Sequence, residues 1–263
     1  MTARRRPVVL SIAGSDNSAG AGAQADLKTL SYLGCYGLTA ITCVVAEVPG
    51  KVSAIQTVRP EIVGEQVALS FSAFPVSSAK TGMLYSPAII KIVARELSGK
   101  RVKLVVDPVM VASSGDSLLQ KSAITAYRKE LFPLATLVTP NLHELRILAE
   151  ADIRSLDEVK EAGKYLSELY GCAFLLKGGH LLGKLAIDVL ATRNGLQEFA
   201  APFIPGVKTH GTGCTYSAAI AAGLARGRSL YDAVYAAKNY VTTSIGKSLR
   251  WKGTHALNHF PDE

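Results

Sequence analysis

The run Lys208-Thr209-His210-Gly211-Thr212-Gly213-Cys214-Thr215 leads directly into a helix of small residues, Tyr216 to Leu224. Glycines let the backbone turn sharply, so that several N–H groups can point at one spot, and the helix N-terminus adds partial positive charge there. That combination makes an anion site. Cys214, at the start of the helix, is expected to have its thiolate favoured by the same field and to stand beside any phosphate in the loop. A helix cap with a buried, inert cysteine fits the same residues.

A second run, Leu137-Val138-Thr139-Pro140-Asn141-Leu142-His143-Glu144, feeds a strand into Asn-x-x-Glu at a helix start. This spacing puts amide and carboxylate on one helical face, one turn apart. Such a pair suits a water-bridged Mg²⁺, which takes few protein carboxylates and prefers substrate phosphates. It equally suits a capping box, with Asn141 as N-cap and Glu144 at the third helical position. Asp107, ahead of Pro108, closes another apolar strand and is placed to hold a second water of the metal, or to serve as a turn carboxylate. Lys177, in Lys177-Gly178-Gly179-His180, is expected to reach a phosphate as a mobile point charge, or else to lie on the surface.

The stretch VVLSIAGSDNSAGAGAQADLKTL, residues 8–30, raises a competing chemistry. Gly20-Ala21-Gly22-Ala23-Gln24-Ala25 fits the G-x-G-x-x-G/A dinucleotide fingerprint, and Glu47 lies roughly where a ribose-binding carboxylate would sit. Those residues alone suggest a nicotinamide-dependent oxidoreductase. The Rossmann turn, however, needs its first glycine almost directly after the strand, and Gly14-Ser15-Asp16-Asn17-Ser18-Ala19 intervenes here. Asp26 adds negative charge near the place a pyrophosphate would occupy. The fingerprint fits poorly.

The elements that must position these residues alternate along the chain. Apolar strands are expected at 8–12, 38–45, 78–80, 102–106, 137–138 and 173–176. Helices are expected at 23–33, 61–71, 87–97, 122–131, 142–149, 156–170, 215–224 and 230–244. A hairpin of 186–191 and 197–200 turns around Arg193-Asn194-Gly195, a type I′ signal. The strands are continuous apolar runs, as in a parallel sheet covered by helices on both faces. The polar runs after Ile12, Val45, Val106, Val138 and Leu176 fall at strand carboxyl ends, where ligands gather in such folds. One three-layer α/β/α sandwich domain with a mostly parallel central sheet is expected over 1–263. Residues 1–7 form a basic N-terminal extension and 250–263 a C-terminal tail.

With 263 residues, 48% hydrophobic and 19% charged, the chain can bury a core of that size. Cys35, Cys43, Cys172 and Cys214 share no CxxC spacing, which argues for a reducing compartment and against a disulfide scaffold or zinc site. No run approaches a membrane span, so a soluble cytoplasmic protein is expected. The formal charge of +8 suits anionic small molecules. Basic residues are scattered apart from Arg4-Arg5-Arg6 and Arg250-Trp251-Lys252, without a nucleic-acid-binding motif.

Taken together, these runs resemble the ribokinase-like kinases and, within them, the hydroxymethylpyrimidine and phosphomethylpyrimidine kinases of thiamine biosynthesis. The resemblance extends from about Val8 to Ser244 and rests on six blocks in the family's order. The first is Ala13-Gly14-Ser15-Asp16 with Ala21 to Thr29, followed by Lys80-Thr81-Gly82-Met83-Leu84 and Asp107-Pro108-Val109-Met110. Thr139 to Glu144, Leu176 to His180 and Thr209 to Thr215 complete the set.

The resemblance implies ATP-dependent phosphorylation of 4-amino-5-hydroxymethyl-2-methylpyrimidine, and of its monophosphate to the diphosphate, with Mg²⁺ and in a homodimer. It implies an anion hole for the γ-phosphoryl at Gly211, Thr212 and Gly213, with Cys214 in the position of the base. That position is an aspartate in the sugar kinases of the superfamily. Glu144 and Asp107 are implied as the pair binding water on Mg²⁺, and Thr139, Asn141, Lys177 and Thr209 as lining the ATP site. Gly14, Ala21, Asp26, Val45, Glu47, Met83 and Val109 are implied at the pyrimidine pocket.

Two positions depart from the family pattern. The family usually has Gln at position 47, whose amide accepts from the pyrimidine amino group and donates to a ring nitrogen. An ionised Glu47 accepts but cannot donate. It pairs with a ring protonated at that nitrogen, or must hold a proton itself. This keeps open a neighbouring activity, that of a pyridoxal or pyridoxine kinase. Ser113 stands where the family carries a lysine after Val-Met-Val-Ala, removing one cation from a flap.

Overall fold

The computed structural model describes residues 6–110, 121–178, 183–207 and 210–262. Thr209 and Ser113 lie outside these residues, as do Gly179, His180 and most of the N-terminal extension.

The chain opens with β1 (Val8–Asp16), α1 (Gly22–Tyr32), β2 (Tyr36–Val48) and β3 (Lys51–Thr57). α2 (Pro60–Ala73), β4 (Val76–Thr81), α3 (Pro87–Leu97) and β5 (Lys103–Val106) follow. Next comes α4 (Lys121–Ala126), continued by a π turn at Tyr127–Leu131 and a short 3-10 turn at Phe132–Leu134. β6 (Leu137–Val138), α5 (Leu142–Ala149), α6 (Leu156–Tyr170) and β7 (Ala173–Lys177) lead to the hairpin of β8 (Leu185–Thr192) and β9 (Gly195–Pro202). α7 (Thr212–Ala225), α8 (Leu230–Gly246) and a small hairpin of β10 (Leu249–Trp251) and β11 (Thr254–Ala256) close the chain.

Nine strands form one sheet in the order β3-β2-β1-β4-β5-β6-β7-β8-β9. From β2 to β7 in that order every pairing is parallel, while at the edges β3 pairs antiparallel with β2, β8 with β7 and β9 with β8. On one face Leu10, Ile12, Val106 and Phe174 pack under Val63 of α2, Ile90 of α3, Leu145 of α5 and Leu166 of α6. On the other, Val9, Val105, Leu137 and Leu175 pack under Leu30 of α1, Ile220 of α7 and Val234 of α8. Successive strand residues point to opposite faces, so burial of both faces is what makes the strands continuous apolar runs. The result is the expected three-layer α/β sandwich.

Four local features differ from the sequence expectation. β1 does not stop at Ile12: after a register shift between Ala13 and Ser15, Ser15 and Asp16 still pair with Val44 and Val45. β3 has no apolar run to announce it, because most of its side chains are exposed on an edge strand. The β8–β9 turn is not type I′. Thr192 pairs with Gly195, Arg193 and Asn194 keep negative φ, and only Gly195 turns positive, at 134°. The C-terminal tail is anchored rather than loose, with Leu257 and His259 buried and the Tyr240 hydroxyl donating to the His259 carbonyl at 2.9 Å.

Candidate active site

The carboxyl ends of β1, β2 and β7, and the loops after β4, β5 and β6, meet the start of α7 around one cleft. Gly14, Ala21, Val45, Glu47, Met83 and Val109 line one end of it. Asp107, Asn141, Glu144 and Lys177 line the other, and Gly211, Thr212, Gly213 and Cys214 also border it.

Two expected residues do not line the cleft. Asp26 is fully buried on α1 and takes hydrogen bonds from the Ser11 hydroxyl and from Lys80 Nζ, at 3.0 and 2.9 Å to its two oxygens. Ser11 and Lys80 are register partners on β1 and β4. The helix lays Asp26 over them, facing the sheet rather than the cleft. Burial pushes the Asp26 carboxyl up, while Lys80 and Ser11 oppose it, and the carboxylate in turn holds the Lys80 ammonium protonated. Thr139 is likewise buried, behind Asp107, and donates to its Oδ1 at 3.2 Å.

At the first end, Asp16 gathers the loop after β1. Its carboxylate accepts from the Ser18 N–H at 2.7 Å, the Ser18 hydroxyl at 3.0 Å and the Ala21 N–H at 2.8 Å. His210 Nε2 lies 3.5 Å from Asp16 Oδ2. Burial alone would raise this carboxyl, but His210, Ser18 and Ala21 together lower it to about 2. Asp16 in turn raises His210. Glu47 is raised by burial and by the Asp16 charge, with His210 pulling the other way. In the sequence Asp16 stands out only as part of a motif block and of the loop that misfits the dinucleotide fingerprint, and His210 only as part of the glycine run. Their meeting joins two distant loops, which no local pattern announces.

The glycines at this end serve close backbone approach. A Cβ on Gly22, which starts α1 at φ 60°, would collide with the Gly14 carbonyl, and one on Gly211 with that of Gly20. The same geometry removes the dinucleotide reading. The Asp16 carboxylate takes the Ala21 N–H where a pyrophosphate would sit, and β3 returns antiparallel to β2 instead of after a crossover.

At the other end, Lys177 Nζ donates to Asp107 Oδ1 at 3.0 Å, and the Ser217 hydroxyl reaches Oδ2 at 3.4 Å. Lys177 is therefore a fixed charge, not the mobile or surface one expected. Glu144 and Asn141 form the capping box, each backbone N–H donating to the other's side chain at 2.9 Å. The Met110 N–H adds a bond to Glu144 Oε1 at 3.3 Å. Burial pushes the Glu144 carboxyl up to about 7, Asp107 adding to the rise and Lys177 and the two N–H groups opposing it. Capping and facing the cleft are thus compatible in one side chain. Two buried carboxylates beside one ammonium suit a divalent cation held through water, which would relieve their mutual repulsion.

α7 begins after Gly211, at φ 81°, and no side chain among the described residues caps it. Its first turn, Thr212 to Cys214, borders the cleft, and a helix start carries partial positive charge there. Cys214 sits on that turn, half-buried. Burial pushes its thiol up to about 11, with Lys80 and the Gly22 N–H opposing. Burial thus opposes the thiolate that the helix terminus is expected to favour.

The family model for phosphomethylpyrimidine kinase matches residues 16–259. The chain belongs to the phosphomethylpyrimidine kinase family. The thiamine biosynthesis bifunctional protein ThiED of Geobacter sulfurreducens is 44% identical over 241 residues, covering 91% of this chain and 49% of that protein. The hydroxymethylpyrimidine/phosphomethylpyrimidine kinase of Escherichia coli is 42% identical over 262 residues, covering 97% of this chain and 98% of that protein. The chain thus spans about half the bifunctional relative and nearly all of the single kinase. Among solved structures, an ADP complex of Bacillus subtilis pyridoxal kinase matches with a TM-score of 0.90 at 35% identity, covering 97% of this chain and 98% of that one. The phosphomethylpyrimidine kinase fold here contains, among its described residues, no helix long and apolar enough to cross a membrane.

Proposed function

We propose that this chain transfers phosphate from ATP to 4-amino-5-hydroxymethyl-2-methylpyrimidine, and then to the monophosphate to give the diphosphate, in thiamine biosynthesis. The observation that carries the reading is the cleft in which the glycine-flanked start of α7, the Lys177–Asp107–Glu144 cluster and an acidic end meet beside Cys214. The names of the Escherichia coli and Geobacter sulfurreducens relatives support it.

The pyrimidine lies at the end bounded by Gly14, Ala21, Val45, Glu47, Met83 and Val109, its hydroxymethyl group toward Cys214. The nucleotide runs toward Asn141 and Lys177, whose ammonium is aimed by Asp107. Asp107 and Glu144 would hold Mg²⁺ through water, and the ion supplies charge neutralisation on the phosphates. The N–H groups from Gly211 to Gly213 stabilise charge on the transferring group's oxygens. The alcohol oxygen bonds to the γ-phosphorus as the bond to the ADP oxygen breaks, and the alcohol proton passes to the Cys214 sulfur as thiolate, the thiol having first given its own proton to water. A loose transition state asks little of the base until bonding is advanced, so positioning and charge carry most of the rate. Lys80, buried beneath the thiol, favours the thiolate when it forms.

The pyridoxal kinase relative makes pyridoxal the second substrate to assay. An acceptor-only Glu47 favours a ring that brings donors, which an aminopyrimidine does. A homodimer in the cytoplasm, with no nucleic-acid partner, belongs to the same proposal. Incubation with Mg-ATP and each alcohol tests it: turnover of the pyrimidine supports the reading, and turnover of pyridoxal alone overturns it.

A further inference from the structure

The polar groups at the ring end of the cleft are mostly hydrogen-bond acceptors. Its polar wall is Asp16, Glu47 and His210, whose nearest oxygen and nitrogen atoms all lie within 4.8 Å of one another. Asp16 is already occupied by Ser18, Ala21 and His210. Glu47 is anchored by its backbone, whose N–H donates to Asn17 Oδ1 at 2.7 Å, and its carboxylate carries no hydrogen bond from a described residue. The groups around that carboxylate are Asp16 from β1, Cys43 from its own strand, Lys51 at the start of β3 and His210 from the loop before α7. His210 is engaged with Asp16, and Lys51 is exposed at the mouth.

A neutral aminopyrimidine presents an amino donor beside a ring-nitrogen acceptor. A carboxylate meets the first well and the second badly, lone pair against lone pair. One added proton removes the conflict. On the ring nitrogen it creates two parallel charge-assisted bonds to the carboxylate, the fork geometry of arginine with an acid. On Glu47 it lets the acid donate to the ring. Both forms contain the same number of protons.

Resting on the reading of this cleft as a pyrimidine kinase site, we propose that Glu47 makes ring recognition proton-coupled. The site takes rings whose edge pairs an amino group with a protonatable nitrogen, and binds them with one extra proton shared between that nitrogen and Glu47. Partial burial of Glu47 and the neighbouring Asp16 charge both raise its carboxyl, which eases this uptake.

Titration calorimetry of the pyrimidine alcohol at pH 8 without nucleotide, in two buffers of different ionisation enthalpy, counts the protons. The wild type is expected to take up about one proton on binding, and its Kd to rise roughly tenfold per pH unit above neutrality. Glu47→Gln, whose amide both accepts and donates, is expected to take up almost none and to bind with little pH dependence. His210→Asn is expected to keep the uptake. Tight binding by the wild type without proton uptake overturns the inference and leaves the kinase reading intact. Uptake that survives Glu47→Gln but disappears in His210→Asn assigns the proton to the imidazole and also overturns it. No binding of the pyrimidine, with pyridoxal bound instead, overturns the kinase reading and this inference with it.

Discussion

The backbone of Gly211 packs so closely on the Gly20 carbonyl that a Cβ at position 211 would overlap that oxygen. Through this contact the loop after β1, which Asp16 gathers, and the loop that opens α7 hold each other in place. Gly211→Ala would force the two loops apart and place a side chain at φ 81°, a left-handed conformation that costs about 1–2 kcal/mol outside glycine. The expected outcome is a comparable loss of stability by chemical denaturation. Because the N–H groups at the helix start move as well, kcat falls on the order of 100-fold, the scale of losing one oxyanion donor.

Cys214→Ala is expected to separate the two phosphorylations. The first nucleophile is an alcohol that must lose a proton, and a general base contributes roughly 10²–10⁴-fold to such a step. The second is a phosphate oxygen, largely deprotonated at neutral pH because a phosphate monoester has its second pKa near about 6. The variant should therefore lose at least about 100-fold in kcat on the alcohol and far less on the monophosphate. Steady-state rates on each substrate check this, and equal losses on both would mean that Cys214 acts by packing.

Lys80 and Asp26 are buried together, 2.9 Å apart, beneath the site. Removing one partner leaves an uncompensated buried charge, so Lys80→Met should cost about 3–5 kcal/mol of folding stability. The double variant Lys80→Met/Asp26→Leu should recover most of that loss. Its kcat on the alcohol should stay below wild type, because Lys80 lowers the Cys214 thiol by more than Asp26 raises it, and the double variant removes both. Denaturant titration with parallel kinetics reads both effects.

His259 connects pH to the site's integrity. Its ring nitrogen lies 3.1 Å from the Thr215 hydroxyl on the first turn of α7, and burial, with the Lys28 charge, lowers its pKa to about 4. The unfolded chain, with an ordinary histidine, binds this proton first as pH falls. The group's contribution is therefore full above its unfolded pKa and is lost as pH drops toward the folded one. Between pH 7 and 4.5 the wild type should lose about 2–3 kcal/mol through this residue, a loss absent from His259→Asn. Denaturation midpoints of both proteins at the two pH values measure the difference.

Elements with their own local logic were legible in the sequence. α5 and α6 match their expected ranges because Asn141 with Glu144 and Ser155 with Glu158 close capping boxes. α3 matches because Ser86 caps it ahead of Pro87. The block motifs brought most of the expected residues to one cleft. What local patterns did not carry was orientation and distant company. Asp26 and Thr139 belong to the motifs, yet packing turns them inward to Lys80 and Asp107. The helix field on Cys214 could be read from the sequence, but the burial that opposes it could not. β3 escaped because an edge strand needs no apolar run, although Lys51, Val52 and Ile55 help to line the cleft.

The most direct test of the account counts phosphates. Purified protein is given Mg-ATP with the hydroxymethylpyrimidine, with its monophosphate or with pyridoxal, and the products are followed by phosphorus NMR. The account predicts a pyrimidine monophosphate that gives way to the diphosphate, and faster turnover of the pyrimidine than of pyridoxal. Phosphorylation of pyridoxal alone, or of neither alcohol, would contradict it.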